Sequence, residues 1–168
     1  KKWRNNYFPA SIYSVQKTHS ASEKILVLGP AWVGDMVLAQ SLFTTLKQQN
    51  PNCQIDVAAP AWTLPLLERM PEITNAIALP FKHGKFAFWE RIRFGKSIRK
   101  DGYKQAIILT NSLKSAILPF AAKIPRRTSF LGEMRFGLIN DIRPLDRAKL
   151  PRTVDRFVTL GLSKNVRL

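Results

Sequence analysis

Asp35 is the only charged side chain between Ile25 and Leu46, in a chain whose formal net charge is +16. A carboxylate isolated in that way is a candidate general base, a group that takes the proton from an attacking hydroxyl. A second set comprises Asn111, Ser112, Lys114 and Ser115. Their amide, hydroxyl and ammonium groups suit a ligand carrying hydroxyls and acidic substituents. Arg126, Arg127 and Arg135 form a third set, because guanidinium pairs bidentately with phosphate or carboxylate. Each set also has a plainer reading. Asp35 is a favoured helix N-cap, Asn111 and Ser112 can cap the helix that follows them, and the arginines can form a solvated basic face.

These residues need elements to position them. Lys24-Ile-Leu-Val-Leu-Gly29 reads as a buried strand closed by Gly29-Pro30. From Met36 to Gln49, Leu38, Leu42 and Leu46 recur every four residues beside Ala39 and Phe43, predicting a helix with an apolar face. Gly34 and Asp35 therefore lie where strand gives way to helix. Ligands of open α/β sheets bind beyond the carboxyl ends of the strands, so this turn faces the expected substrate crevice. Further strands are predicted at Gln54–Ala59, Ala76–Leu79, Gln105–Leu109 and, weakly, Thr128–Leu131. Helical spacing covers Trp62–Met70, Phe86–Lys100 ended by Asp101-Gly102, Leu113–Ala122 with a kink at Pro119, and Arg152–Leu160. The alternation predicts a Rossmann-like α/β domain with a mostly parallel sheet covered on both faces. The set from Asn111 to Ser115 then follows the fourth strand and reaches the same crevice.

Composition narrows the partners. A chain of 168 residues that is 45% hydrophobic fits one domain with a real core. With 27 Lys and Arg against 11 acids, the partners are anionic: a phosphorylated or carboxylated substrate, an acidic membrane surface, or nucleic acid. The lone Cys53 excludes an internal disulfide and suits a reducing compartment, and with only His19 and His83 no zinc constellation forms. The turn Gly29-Pro-Ala-Trp-Val-Gly34 has neither dinucleotide-fold nor P-loop spacing. Gly29, Pro30, Gly34, Asp35 and several polar residues interrupt Ile25–Leu46, which excludes that stretch as a membrane span. Residues 1–23 are basic up to Glu23 and are read as a disordered leader outside the fold. Between Lys85 and Lys100, Trp89, Arg93, Lys96 and Lys100 share one ridge. That ridge fits an anionic bilayer surface, or else Trp89 and Ile92 are core.

Several separated segments carry a resemblance. They are Gly29-Pro-Ala-Trp-Val-Gly-Asp-Met36, Ala59-Pro-Ala-Trp62, Met70-Pro-Glu-Ile73, Asn111-Ser-Leu-Lys-Ser-Ala116 and Ile124-Pro-Arg-Arg-Thr128 through Gly132-Glu-Met-Arg-Phe-Gly-Leu-Ile-Asn-Asp141. In this order they closely resemble the lipopolysaccharide heptosyltransferases of glycosyltransferase family nine, over roughly residues 24–162. The resemblance implies the acceptor-binding, N-terminal half of a GT-B enzyme, in which a second Rossmann-like domain binds most of the nucleotide sugar. It implies an inverting, metal-independent reaction with no cofactor. Asp35 matches the family's catalytic aspartate, which would deprotonate an inner-core heptose hydroxyl as it displaces ADP from ADP-L-glycero-D-manno-heptose. Gly34 joins Asn111, Ser112, Lys114, Ser115, Arg126, Arg127 and Arg135 as expected acceptor-binding residues.

On this reading residues 163–168 are a truncated tail and the ADP-heptose domain is missing. The chain is expected to be a fragment without turnover of its own. Its partners would be ADP-heptose through the missing domain, the anionic lipopolysaccharide inner core and, peripherally, the cytoplasmic face of an anionic membrane, with no nucleic acid. The competing expectations are a basic nucleic-acid-binding module without catalysis, or another family-nine glycosyltransferase.

Overall fold

The computed structural model describes residues 22–81 and 86–162. Six parallel strands form one sheet: β1 (Lys24–Leu28), β2 (Gln54–Ala59), β3 (Asn75–Ala78), β4 (Gln105–Ile108), β5 (Arg126–Phe130) and β6 (Asp141–Arg143), in the order β3-β2-β1-β4-β5-β6. That is the doubly wound order, with the topological switch between β1 and β4. The helices are α1 (Val33–Gln49), the single turn α2 (Leu64–Leu67), α3 (Phe88–Ser97), α4 (Leu113–Ala121) and α5 (Thr153–Gly161).

Alternation along the strands divides the core. Ile25 and Val27 of β1, with Ile55, Val57 and Ile107, pack beneath α1 and α5. Leu26 and Leu28, with Ala58, Ala106 and Ile108, pack beneath α3 and α4. Strands buried on both faces must read as continuous apolar runs, which is why Lys24–Leu28 and Gln105–Ile108 stand out in the sequence. The two helices over the second face touch closely. A Cβ on Gly95 of α3 would lie 2.6 Å from the Leu118 carbonyl and 2.8 Å from Ala121 Cβ of α4.

Several boundaries differ from the sequence expectation. Helix α1 begins at Val33, and its buried stripe is Met36, Ala39, Leu42, Phe43 and Leu46, whereas Leu38 is exposed. The four-residue leucine spacing drifts around a 3.6-residue helix, so Leu38 falls off the stripe that α5 covers. The helix predicted at Trp62–Met70 shrinks to a 3-10 turn at Ala61–Thr63 and the one turn of α2. The predicted helix Phe86–Lys100 is α3 followed by a 3-10 turn at Ile98–Asp101, which Gly102 ends at φ +72°. Strand β6 has no sequence prediction because its inward side chains are charged: Asp141 and Arg143 are buried while Ile142 is exposed. The basic leader read over residues 1–23 lies outside the described residues except at its end, where Ser22 Oγ donates to the Asn52 carbonyl and Gln54 N donates to the Glu23 carbonyl. The tail at 163–168 also lies outside them.

Candidate functional site

The crevice is built at the switch between β1 and β4. Chain leaving β1 passes through Gly29 and Pro30 and enters α1 with Trp32 as N-cap residue, so Gly34 and Asp35 sit in the first helical turn. Asp35 is therefore not the N-cap, which corrects the capping interpretation. The Trp32 carbonyl instead accepts from Met36 N at 3.0 Å and starts the helix without a side-chain cap. Asp35 is half-buried, and among the described residues its carboxylate has no hydrogen-bond or ion-pair partner. It stands where the helix dipole favours its charge. A Cβ built on Gly34 would meet nothing within 4 Å, so the helix surface beside the acid is open.

The order of the sequence motifs has a spatial meaning. The first two meet: Trp62 Nε1 donates to the Ala31 carbonyl at 2.9 Å, holding the turn that delivers Asp35. The third reaches α1, where Glu72 accepts from Gln40 Nε2 at 3.2 Å and Thr44 Oγ1 at 2.8 Å. The last two join at the end of β4. Glu133 N donates to the Asn111 carbonyl, and Glu133 Oε2 accepts from Leu113 N at 3.0 Å, capping α4. Asn111 and Ser112 thus do not cap that helix with their side chains; an acid from a distant loop does.

Ser112, Lys114 and Ser115 line a cavity of about 160 Å³ with Gly29, Pro60 and Phe81, at the carboxyl ends of β1, β2 and β3. Asn111 is exposed at its edge, in the loop between β4 and α4. The Ser115 hydroxyl donates to the Ser112 carbonyl at 2.6 Å, which fixes the loop and leaves the oxygen's lone pairs to accept. Arg91 also lines the cavity and had no place in the sequence reading. Its Nε donates to the Phe86 carbonyl at 2.8 Å, its guanidinium lies 4.4 Å from the Phe81 ring centroid, and burial pulls its pKa down. The only sequence signal was a basic residue within an otherwise mixed ridge.

The three predicted anion-binding arginines do not gather here. Arg126 and Arg127 begin β5, at the amino ends of the strands and so at the opposite edge of the sheet from Asp35. Arg126 pairs with Asp141 at 3.0 Å. Arg127 donates to the Leu138 and Ile124 carbonyls. Arg135 is 0% exposed and donates to the Thr110 and Phe130 carbonyls and to Ser129 Oγ. It ties the loop after β5 to the ends of β4 and β5, and is a structural cation rather than an acceptor ligand. They do not gather because β5 starts two residues earlier than its apolar run, which puts Arg126 and Arg127 at the far edge, and because carbonyls satisfy the fully buried Arg135 guanidinium as well as an anion would.

The ridge on α3 is solvent-facing. Trp89 is 75% exposed, Arg93, Lys96 and Lys100 are exposed, and Ile92 is half-buried, so Trp89 is not core. Among the described residues no helix is long and apolar enough to cross a membrane, and no group of three His, Cys, Asp or Glu side chains is placed to hold a metal ion.

The doubly wound sheet defines a Rossmann-like α/β domain, and the sequence comparisons give the class it resembles. Residues 91–164 match the family model for glycosyltransferase family 9 (heptosyltransferase). More particularly, the chain is 53% identical over 143 residues to lipopolysaccharide heptosyltransferase 2 of Salmonella typhimurium, covering 85% of this chain and 41% of that protein. It is 51% identical over 142 residues to lipooligosaccharide heptosyltransferase 2 of Haemophilus influenzae, covering 84% and 40%. The solved structure of E. coli ADP-heptose lps heptosyltransferase II superimposes with a TM-score of 0.78 at 48% identity, over 84% of this chain and 41% of that one. The family resemblance read from the motifs is borne out, and within the family it falls on heptosyltransferase II. The chain spans about 41% of the length of the curated relatives it matches.

Proposed function

We propose that this chain is the acceptor-binding lobe of a heptosyltransferase of lipopolysaccharide inner-core synthesis, with Asp35 as general base. The observation that carries the proposal is the position of Asp35: half-buried, without a partner among the described residues, and at the β1–β4 switch point. A carboxylate engaged in a structural ion pair would be a poor base, because its partner would hold the ionised form and lower its proton affinity. Asp35 has no such partner among the described residues. In the transfer step it accepts the proton of an acceptor heptose hydroxyl as that oxygen bonds to the anomeric carbon of ADP-heptose. The bond from that carbon to the ADP oxygen breaks with inversion. Ser112, Lys114, Ser115 and Arg91 hold the acidic acceptor in the neighbouring cavity, and Gly34 lets it approach the helix backbone. The outward ridge of α3 keeps the lobe at the anionic membrane surface where a lipid-anchored acceptor resides. Donor binding falls to the part of the relatives that this chain does not span.

The test joins residues 24–162 to the remainder of the Salmonella relative and follows heptose transfer to an inner-core acceptor. Replacing Asp35→Asn is expected to lower kcat by about 10²–10⁴-fold with the acceptor KM nearly unchanged. Undiminished transfer would refute the assignment. The 168-residue polypeptide alone is expected to bind the acceptor without turnover.

A further inference from the structure

On the face of the sheet covered by α3 and α4, a groove of about 620 Å³ opens between these two helices. Its walls are apolar: Phe88 and Ile92 from α3, Ile117 and Phe120 from α4. Both helices return from the carboxyl ends of strands to the amino ends, so they run in the same sense and give the groove a direction. Along α3 and its 3-10 continuation, Phe88, Ile92, Lys96 and Arg99 follow at helical spacing on one face. Along α4, Ile117 and Phe120 lead to Lys123 just past the helix end, with Arg127 beyond it. One end is therefore hydrocarbon and aromatic, and the other carries four cations.

That charge is not neutralised internally. Among the described residues Lys96, Arg99, Lys123 and Arg127 make no ion pair, and no acid lines the groove. Residues 1–21, 82–85 and 163–168 contain no Asp or Glu at all. Backbone carbonyls hold the two guanidinium groups in place: Arg99 Nε donates to Ala121 O at 2.8 Å and Arg127 Nε to Leu138 O at 2.6 Å. Arg127 also lies 5.5 Å from the Phe120 ring centroid, and burial lowers its pKa. Four cations without an ion-pair partner among the described residues, one of them, Arg127, partly desolvated, are set at one end of an apolar channel and match an amphiphile with an anionic head.

We propose that this groove binds a single anionic phospholipid, with its phosphate at Lys96, Arg99, Lys123 and Arg127 and an acyl chain along Ile92 and Ile117 toward Phe88. The site is separate from the sugar-transfer crevice and its test needs neither donor nor acceptor sugar, so either reading can fail alone.

The experiment is methyl NMR on the full chain, labelled at isoleucine and titrated with dihexanoyl phosphatidylglycerol below its micelle concentration. Dihexanoyl phosphatidylcholine and glycerol phosphate serve as parallel titrants. The Ile92 and Ile117 signals are expected to shift and saturate with phosphatidylglycerol, at least tenfold more weakly with phosphatidylcholine, and not at all with glycerol phosphate. A variant carrying Lys96→Glu and Lys123→Glu, both exposed positions, is expected to lose at least tenfold in phosphatidylglycerol affinity while its binding of phosphatidylcholine is unchanged. Equal binding of the two lipids, equal binding by the double variant, saturation by glycerol phosphate alone, or unmoved Ile92 and Ile117 signals would each overturn the proposal.

Discussion

The two ends of the sheet treat the same residue type in opposite ways. At the amino-end side, Asp56 is 2% exposed and fully engaged: it accepts from Asn75 Nδ2 at 2.8 Å and the Tyr103 hydroxyl at 2.7 Å, with Lys24 Nζ 3.3 Å away. Asp141 in the same half accepts from Arg126, Thr128 and Arg143. At the carboxyl end, Asp35 has no partner among the described residues. A buried acid is tolerable only when paired and hydrogen-bonded, so the first two acids hold strands together and are chemically inert. The third stands without a partner among the described residues, beside an open helix surface. An acid's neighbours, more than its burial, separate a structural carboxylate from a reactive one.

This contrast can be broken or sharpened by experiment. The largest expected effect is the loss of transfer in Asp35→Asn described above, accompanied by a change in unfolding free energy below about 1 kcal/mol, since only a helix-dipole interaction is removed. A large loss of stability would place Asp35 with the structural acids. The reverse pattern is expected for Asp141→Asn. Removing the charge strands Arg143 in the core beside Arg126, so denaturant unfolding should show a loss of about 3–5 kcal/mol.

Next comes Tyr103. Burial, then the hydrogen bond to Asp56 and its charge, raise the phenol's pKa above its ordinary value. The folded state therefore holds that proton more tightly than the unfolded chain does. Stability from this group is complete below about pH 10, the unfolded value, and declines as pH rises further. Tyr103→Phe should cost about 1–2 kcal/mol near neutrality, by leaving Asp56 one donor short, and should flatten the alkaline decline in a pH-resolved melting series. The smallest effect is expected for Glu133→Ala, which uncaps Leu113 N: about 1 kcal/mol in stability, measured by urea denaturation. If acceptor binding weakens as well, the cap also positions Ser112 and Lys114.

Much of the fold was legible in the residues. The strand at Gln54–Ala59 has the boundaries its apolar run predicts, and β1, β4, α4 and α5 lie within a residue or so of theirs, because burial on both faces leaves an unbroken hydrophobic signature. The turn carrying Asp35 was legible for the same reason: a strand, a Gly-Pro turn and an amphipathic helix in succession must bring that residue to the carboxyl end of the sheet. Strand β6 was hidden, since charged pairs rather than apolar residues hold it, and such pairs leave no periodic pattern.

What the sequence determined by itself was therefore the α/β rhythm, the family resemblance and the place of Asp35. These depend on local propensity, on residues close in the chain and on the order of motifs. Tertiary structure alone decided the fate of the arginines. Nothing in Ile124-Pro-Arg-Arg-Thr128 or in Glu133-Met-Arg-Phe136 says that Arg126 meets Asp141 or that Arg135 faces the Thr110 and Phe130 carbonyls. Whether a guanidinium holds a substrate or a strand depends on which oxygens the folded chain brings within about 3 Å of it, and partners from other elements set that distance.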